Sequence, residues 1–181
     1  MSFSLMRSKP EYPLECFERL PELGKPWIFG DRLRSAPRGV LEYTLLPSCK
    51  DPPYLMYELP HPLIHVELFK KIVAAGGDNI EAFEAVLHHP EAGVMRHEYL
   101  AFNVVGMIAT SELAARVMKG YSDWKFETDE VAGIVPNYSA IPNGILLARL
   151  ADRVGRILVN NRLRQHIDPG PESGLLFFEL N

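Results

Sequence analysis

The sequence predicts an α+β protein: a mixed sheet carrying two related helix-turn-strand units, at about residues 63–87 and 158–180, with a proline-rich N-terminal region of short strands. Three observations predict it. Nine prolines between Pro10 and Pro60 break every run in the front third of the chain, and proline removes an amide donor and fixes its own backbone angle. From Leu63 the pattern changes to an apolar stripe at helical spacing, a glycine pair and a run of strand formers. The same pattern returns ninety-five positions later, where LVNNRLRQHIDPGPESGLLFFEL from Leu158 lies over LIHVELFKKIVAAGGDNIEAFEAV from Leu63 without a gap. Leu63, Leu68, Ile72, Phe83 and Glu84 then meet Leu158, Leu163, Ile167, Phe178 and Glu179. The expected organisation is one domain over residues 1–181, with 1–60 as the proline-rich part and 61–181 as the core with its internal repeat.

In the front region the best strand candidates are Trp27 to Phe29 and Val40 to Leu46, the second reading VLEYTLL. After His61, Pro62 suits the first turn of a helix whose stripe is Leu63, Val66, Leu68, Phe69, Ile72 and Val73. Gly76 and Gly77 stop that helix, and Ile80 to Leu87 follows as a strand. Between His97 and Ala109, HEYLAFNVVGMIA reads as a strand buried on both faces. Ser111 caps a predicted short helix that Gly120 closes. The segment from Gly144 to Ile167 is compatible with one long amphipathic helix, but Gly155 and the IleLeuVal run at 157–159 speak against it. Aligned on the repeat, Leu146 to Leu150 and Arg156 to Val159 become extended, and a helix starts near Asn160. Pro169, Gly170 and Pro171 end it, and LLFFEL is the last strand.

Hydrophobic residues make up 47% of the chain and charged ones 23%, the balance of a folded globular protein rather than a disordered one. A net charge of -4 argues against a nucleic-acid partner, which requires a basic face for the phosphates. The opening MSFSLMRSKPEYP has no apolar run of signal-peptide length, and no stretch is long and apolar enough to span a membrane. The expected location is the cytoplasm. There Cys16 and Cys49, which form no CxxC pair, stay reduced and are too few for a structural zinc site.

Six histidines raise the question of a metal. His61 and His65 have the i, i+4 spacing of HExxH zinc enzymes, but Pro62 stands where the glutamate belongs. His88, His89 and His97, with Glu91 or Glu98, support the alternative of a small metal-dependent hydrolase; the plainer account is solvated or locally hydrogen-bonded histidines. No GxSxG elbow or phosphate-cradling glycine loop occurs, and Ser48-Cys49-Lys50-Asp51 between two prolines reads as a turn. No cofactor is expected. The stretch Tyr121 to Glu130 combines Trp124 with Asp123, Glu127, Asp129 and Glu130, an aromatic anchor among carboxylates able to steer a basic partner. Its alternation also fits a strand with Trp124 and Phe126 inward and Asp123, Lys125 and Glu127 outward, and that is the plainer account.

IHVELFKKI, GGDNI and EAFEAV, then YLAFNVVGMIA, and finally LLARL, ILVNNRLRQHI and SGLLFFEL together resemble the Myxococcus-type immunity proteins of bacterial polymorphic toxin systems. The similarity covers roughly residues 60–181. It implies a protein that is not an enzyme and that binds a cognate toxin, a type VI or contact-dependent effector, in the cytoplasm and blocks it stoichiometrically. Asp123, Trp124, Glu127, Asp129 and Glu130 are the expected partner-binding residues.

Overall fold

A computed structural model describes residues 3–8, 16–57, 59–91, 93–108, 144–150, 156–167 and 174–179. The chain enters on β1 (Phe3–Ser8) and β2 (Phe17–Arg19), makes one 3-10 turn at Trp27–Phe29, and continues through β3 (Leu41–Leu45), β4 (Leu55–Met56) and β5 (Leu63–His65). Helix α1 (Val66–Ala74) leads to β6 (Ile80–His89), β7 (Val94–Arg96), β8 (Tyr99–Val104) and β9 (Met107–Ile108). After residues 109–143, β10 (Leu147–Leu150), β11 (Ile157–Asn160), α2 (Asn161–Ile167) and β12 (Leu175–Glu179) complete the described elements. The architecture is α+β with mixed sheets. The predicted helix from Ser111 and the acidic stretch to Glu130 lie outside the described residues.

One sheet runs β2-β3-β6-β8-β5-β4, with β7 also paired to β6; the other runs β12-β1-β11-β10-β9. Each contains one parallel pair among the described residues, β3 with β6 and β10 with β9, and is otherwise antiparallel. The run expected as one strand from His97 to Ala109 divides at Gly106, whose φ of 102° turns the chain out of the first sheet. Val104 still pairs with Ile80, whereas Met107 pairs with Arg149 of the second sheet. Asn79 adds a polar link across this junction, its Nδ2 donating to Val105 O at 2.8 Å and Leu147 O at 2.9 Å.

Helix α1 begins at Val66 rather than in the turn of Pro62. Leu63 to His65 pair with β4 on one side and β8 on the other, so their apolar side chains serve a strand. His65, extended at φ -67° and ψ 138°, caps the helix by accepting the Glu67 amide on Nδ1 at 3.2 Å. The helix ends as expected at the glycine pair: Gly77 N donates to Ile72 O and Gly76 N to Val73 O, both at 2.9 Å, the two bonds of a Schellman cap. Gly76 takes φ 95°, and a Cβ on Gly77 would stand 2.6 Å from Ile72 Cγ2. At α2 the cap is Asn160, whose Oδ1 accepts the Leu163 amide at 2.8 Å while its Nδ2 donates to Ile145 O at 3.0 Å.

Trp27–Phe29, expected as a strand, is a 3-10 turn bounded by Pro26 at φ -60° and Gly30 at φ 72°. Three residues between a fixed and a left-handed angle leave no length for a ladder, and the Trp27 amide donates instead to Pro60 O at 2.8 Å.

Two apolar clusters fill the interior. The first joins Leu68 and Ile72 of α1, Leu163 and Ile167 of α2, Met6, Ile64, Phe102, Val104, Leu147, Ile157 and Val159. The second lies under the front region and holds Cys16, Trp27, Leu41, Tyr43, Leu45, Cys49, Leu63, Leu87 and Tyr99. Among the described residues no helix is long and apolar enough to cross a membrane.

Candidate functional site

The front region builds a pocket of about 610 Å³ lined by Leu23, Lys25, Trp27, Asp31, Arg32 and residues 33–37. Trp27 is buried at its base, tilted against Phe83 with ring centroids 5.3 Å apart and edge-on to His61 at 5.2 Å. A loop this rich in turns needs outside anchors, and the first sheet supplies them. Asn103 of β8, fully buried, donates from Nδ2 to Asp31 O at 2.7 Å and to Glu81 Oε2 at 2.9 Å. The same Glu81 oxygen accepts the Leu33 amide at 3.1 Å. Gly30 comes so close to Gly106 that a Cβ on it would stand 3.0 Å from Gly106 O. The rim carries Arg32 and Arg34, both exposed, and Lys25 paired with Asp31. An aromatic base under a cationic rim suits an acidic side chain or another anionic group, and such exposed charges act on approach more than on final affinity. Sequence reasoning missed this site. Its only local signal was the alternating arginines of DRLRSAPR.

The predicted partner-binding residues Asp123, Trp124, Glu127, Asp129 and Glu130 lie outside the described residues. The histidines of the hydrolase alternative are not brought together. His88 and His89 are successive residues of β6 and so project to opposite faces of its sheet. His88 Nε2 lies 4.0 Å from Glu42 Oε2, and His97 is exposed between β7 and β8. Among the described residues no three His, Cys, Asp or Glu side chains stand where they could share a metal ion. His61 and His65 separate as well, one against Trp27 and the other tilted against Tyr54 with ring centroids 4.2 Å apart.

The two cysteines, distant in sequence, meet in the second cluster. Both are free and buried. Burial, then a hydrogen bond with Cys16, pushes the Cys49 thiol up to about 12, so it stays protonated at neutral pH and is no nucleophile. The turn bearing it is held by Arg96, which donates to Lys50 O at 2.7 Å and pairs with Asp51 at 3.3 Å.

Burial pushes the pKa of His61 down, against the pull of the Lys25 backbone carbonyl. Burial likewise lowers His65, against the pull of Glu98 and Glu67. Both folded-state values lie below the ordinary value of about 6.5, so the unfolded chain binds the protons more tightly. The stabilisation is complete above that value and is lost as pH falls below it. The thermal midpoint is therefore expected to drop between pH 7.5 and pH 5.5. A His61→Leu/His65→Asn chain, in which Asn keeps a capping acceptor, should show a flatter profile over the same range. Equal slopes for the two proteins in scanning calorimetry would refute this assignment.

No family model and no curated protein matches the chain.

Proposed function

We propose that this chain is a non-catalytic immunity protein that binds a cognate bacterial toxin, a type VI or contact-dependent effector, in the cytoplasm and neutralises it stoichiometrically. The observation that carries this reading is where the residues of the resemblance fall. IHVELFKKI lies on β5 and α1, GGDNI forms the Schellman stop and the Asn79 link, EAFEAV lies in β6 and YLAFNV is β8. LLARL and ILVNNRLRQHI fall on β10 and on β11 with α2, and the LLFFE of SGLLFFEL is β12. Three polar residues within these runs help to hold the frame: Tyr99 donates to Pro52 O at 2.7 Å, and Asn103 and Asn160 make the bonds described above.

The two helix-turn-strand units are part of the same proposal. Strand β5, α1 and β6 contain Leu63, Val66 and Ile80; β11, α2 and β12 contain Leu158, Asn161 and Leu175, each ninety-five positions on. Both helices are capped by the residue immediately before them, His65 and Asn160. We read them as two copies of one packing unit closing a common core, with contact to the toxin made by Asp123, Trp124, Glu127, Asp129 and Glu130.

Co-expression with the toxin encoded beside it tests the reading. Cells carrying the active toxin are expected to survive only when this chain is present, and the two proteins to co-elute at one-to-one stoichiometry. Replacing the five contact residues by alanine should weaken the complex by at least about tenfold. Failure of the chain to rescue, with no complex formed, would exclude it.

A further inference from the structure

The guanidinium of Arg149 is the feature that neither the frame nor the proposed contact surface uses. Arg149 lies in the middle of β10, paired with Ile157 of β11 and Met107 of β9. Cross-strand partners share a face, so Arg149 stands on the side of the sheet occupied by Leu147, Ile157 and Val159, all members of the first apolar cluster. It is 0% exposed, and Nε, Nη1 and Nη2 all lack a hydrogen-bond partner among the described residues. Its backbone is satisfied, the amide donating to Gly106 O at 3.1 Å.

A guanidinium has five N–H donors in a rigid fork. Burial pushes its pKa down to about 10, still far above neutrality, so loss of the proton does not relieve the charge. Buried charges are found paired or bound to a counter-ion, because an isolated one loses its hydration without replacement. The fork geometry matches a planar carboxylate or a phosphoryl group, taking two oxygens at once. Full burial of Arg149 limits the occupant to a small anion.

We propose that Arg149 is the receptor of an internal anion site that takes a small oxyanion, a carboxylate or inorganic phosphate, bound through two oxygens on the guanidinium. The site is separate from the front pocket, whose cations are on the exposed rim, and it does not depend on the immunity reading.

The test measures the thermal midpoint of the full chain in acetate, phosphate or chloride at one ionic strength, each titrated through low millimolar concentrations, for the wild type and for Arg149→Met. A ligand at a hundred times its Kd raises the midpoint of a chain this size by roughly 5–10 °C. Wild type is expected to rise with acetate or phosphate over chloride, and whichever rises more identifies the oxyanion. Arg149→Met should be the more stable protein in chloride and should show no oxyanion-dependent rise. Arg149→Lys, which keeps the charge but not the fork, should respond with at least about tenfold weaker affinity. Isothermal titration of wild type with phosphate and with acetate stands even where a variant fails to fold. Absence of heat from both anions, or an identical oxyanion response in wild type and Arg149→Met, would overturn the proposal.

Discussion

Trp27→Ala is expected to destabilise the protein by about 4 kcal/mol, the usual scale for emptying a buried tryptophan site. In a chain of this size that lowers the thermal midpoint by roughly 10 °C. The magnitude follows from where the side chain sits. Trp27 is buried between His61 and Phe83 at the base of the front pocket, and its ring closes the second apolar cluster from the side of the proline-rich region. The surrounding backbone is poorly placed to collapse into the space. Pro26 is fixed, Gly30 is held against Gly106, and the loop beyond it is tied to Asn103 and Glu81. Trp27→Phe keeps most of the volume and should lose about half as much. A loss below about 1 kcal/mol for Trp27→Ala in urea titration would show that the front region is not packed on the sheet through this residue.

That anchoring was barely legible in the sequence. The Trp27 run reads as a strand because aromatic and β-branched residues favour one, yet Pro26 and Gly30 fix its ends too tightly for pairing. Asn103 and Glu81 gave no local hint, since their partners lie seventy-two and forty-eight residues away. Periodicity reports which face of an element is apolar; it does not report which distant loop a polar side chain will hold. The alternating arginines beside the pocket were visible but carried no pattern that separates a ligand rim from a solvated turn.

The glycine stop of α1 and the start of α2 are far more legible, because their signals are local. The glycine stop was read correctly since two bonds and one positive φ at Gly76–Gly77 need glycine chemistry. The start of α2 followed from Asn160, a familiar capping residue. The start of α1 was misplaced toward Pro62 because histidine is an uncommon cap, and Leu63 and Ile64 are apolar in either a strand or a helix. Placing β5 required its two neighbours, Met56 and Ala101, opposite Leu63. Arg149 shows the same limit from the other side. Within LLARLADR it resembles the polar face of a helix, and only the strand register turns it inward.

The second large effect concerns the core shared by α1 and α2. Ile72→Ala and Ile167→Ala are each expected to cost about 3 kcal/mol, because both side chains are fully buried in one cluster and β-branched volume is lost without replacement. The two helices that carry them pack on each other, so the single changes are not independent. Once one isoleucine is gone, the facing helix can shift toward the space, and the second removal meets a site already relaxed. The double variant should therefore lose about 1 kcal/mol less than the sum of the singles, within the range found for residues coupled through a shared cavity. Were the units separate bodies, each with its own interior, the two losses would add within about 0.5 kcal/mol. Equilibrium unfolding in urea on the four proteins of the cycle measures this coupling. Additivity would remove the basis for reading the two helices as halves of one core.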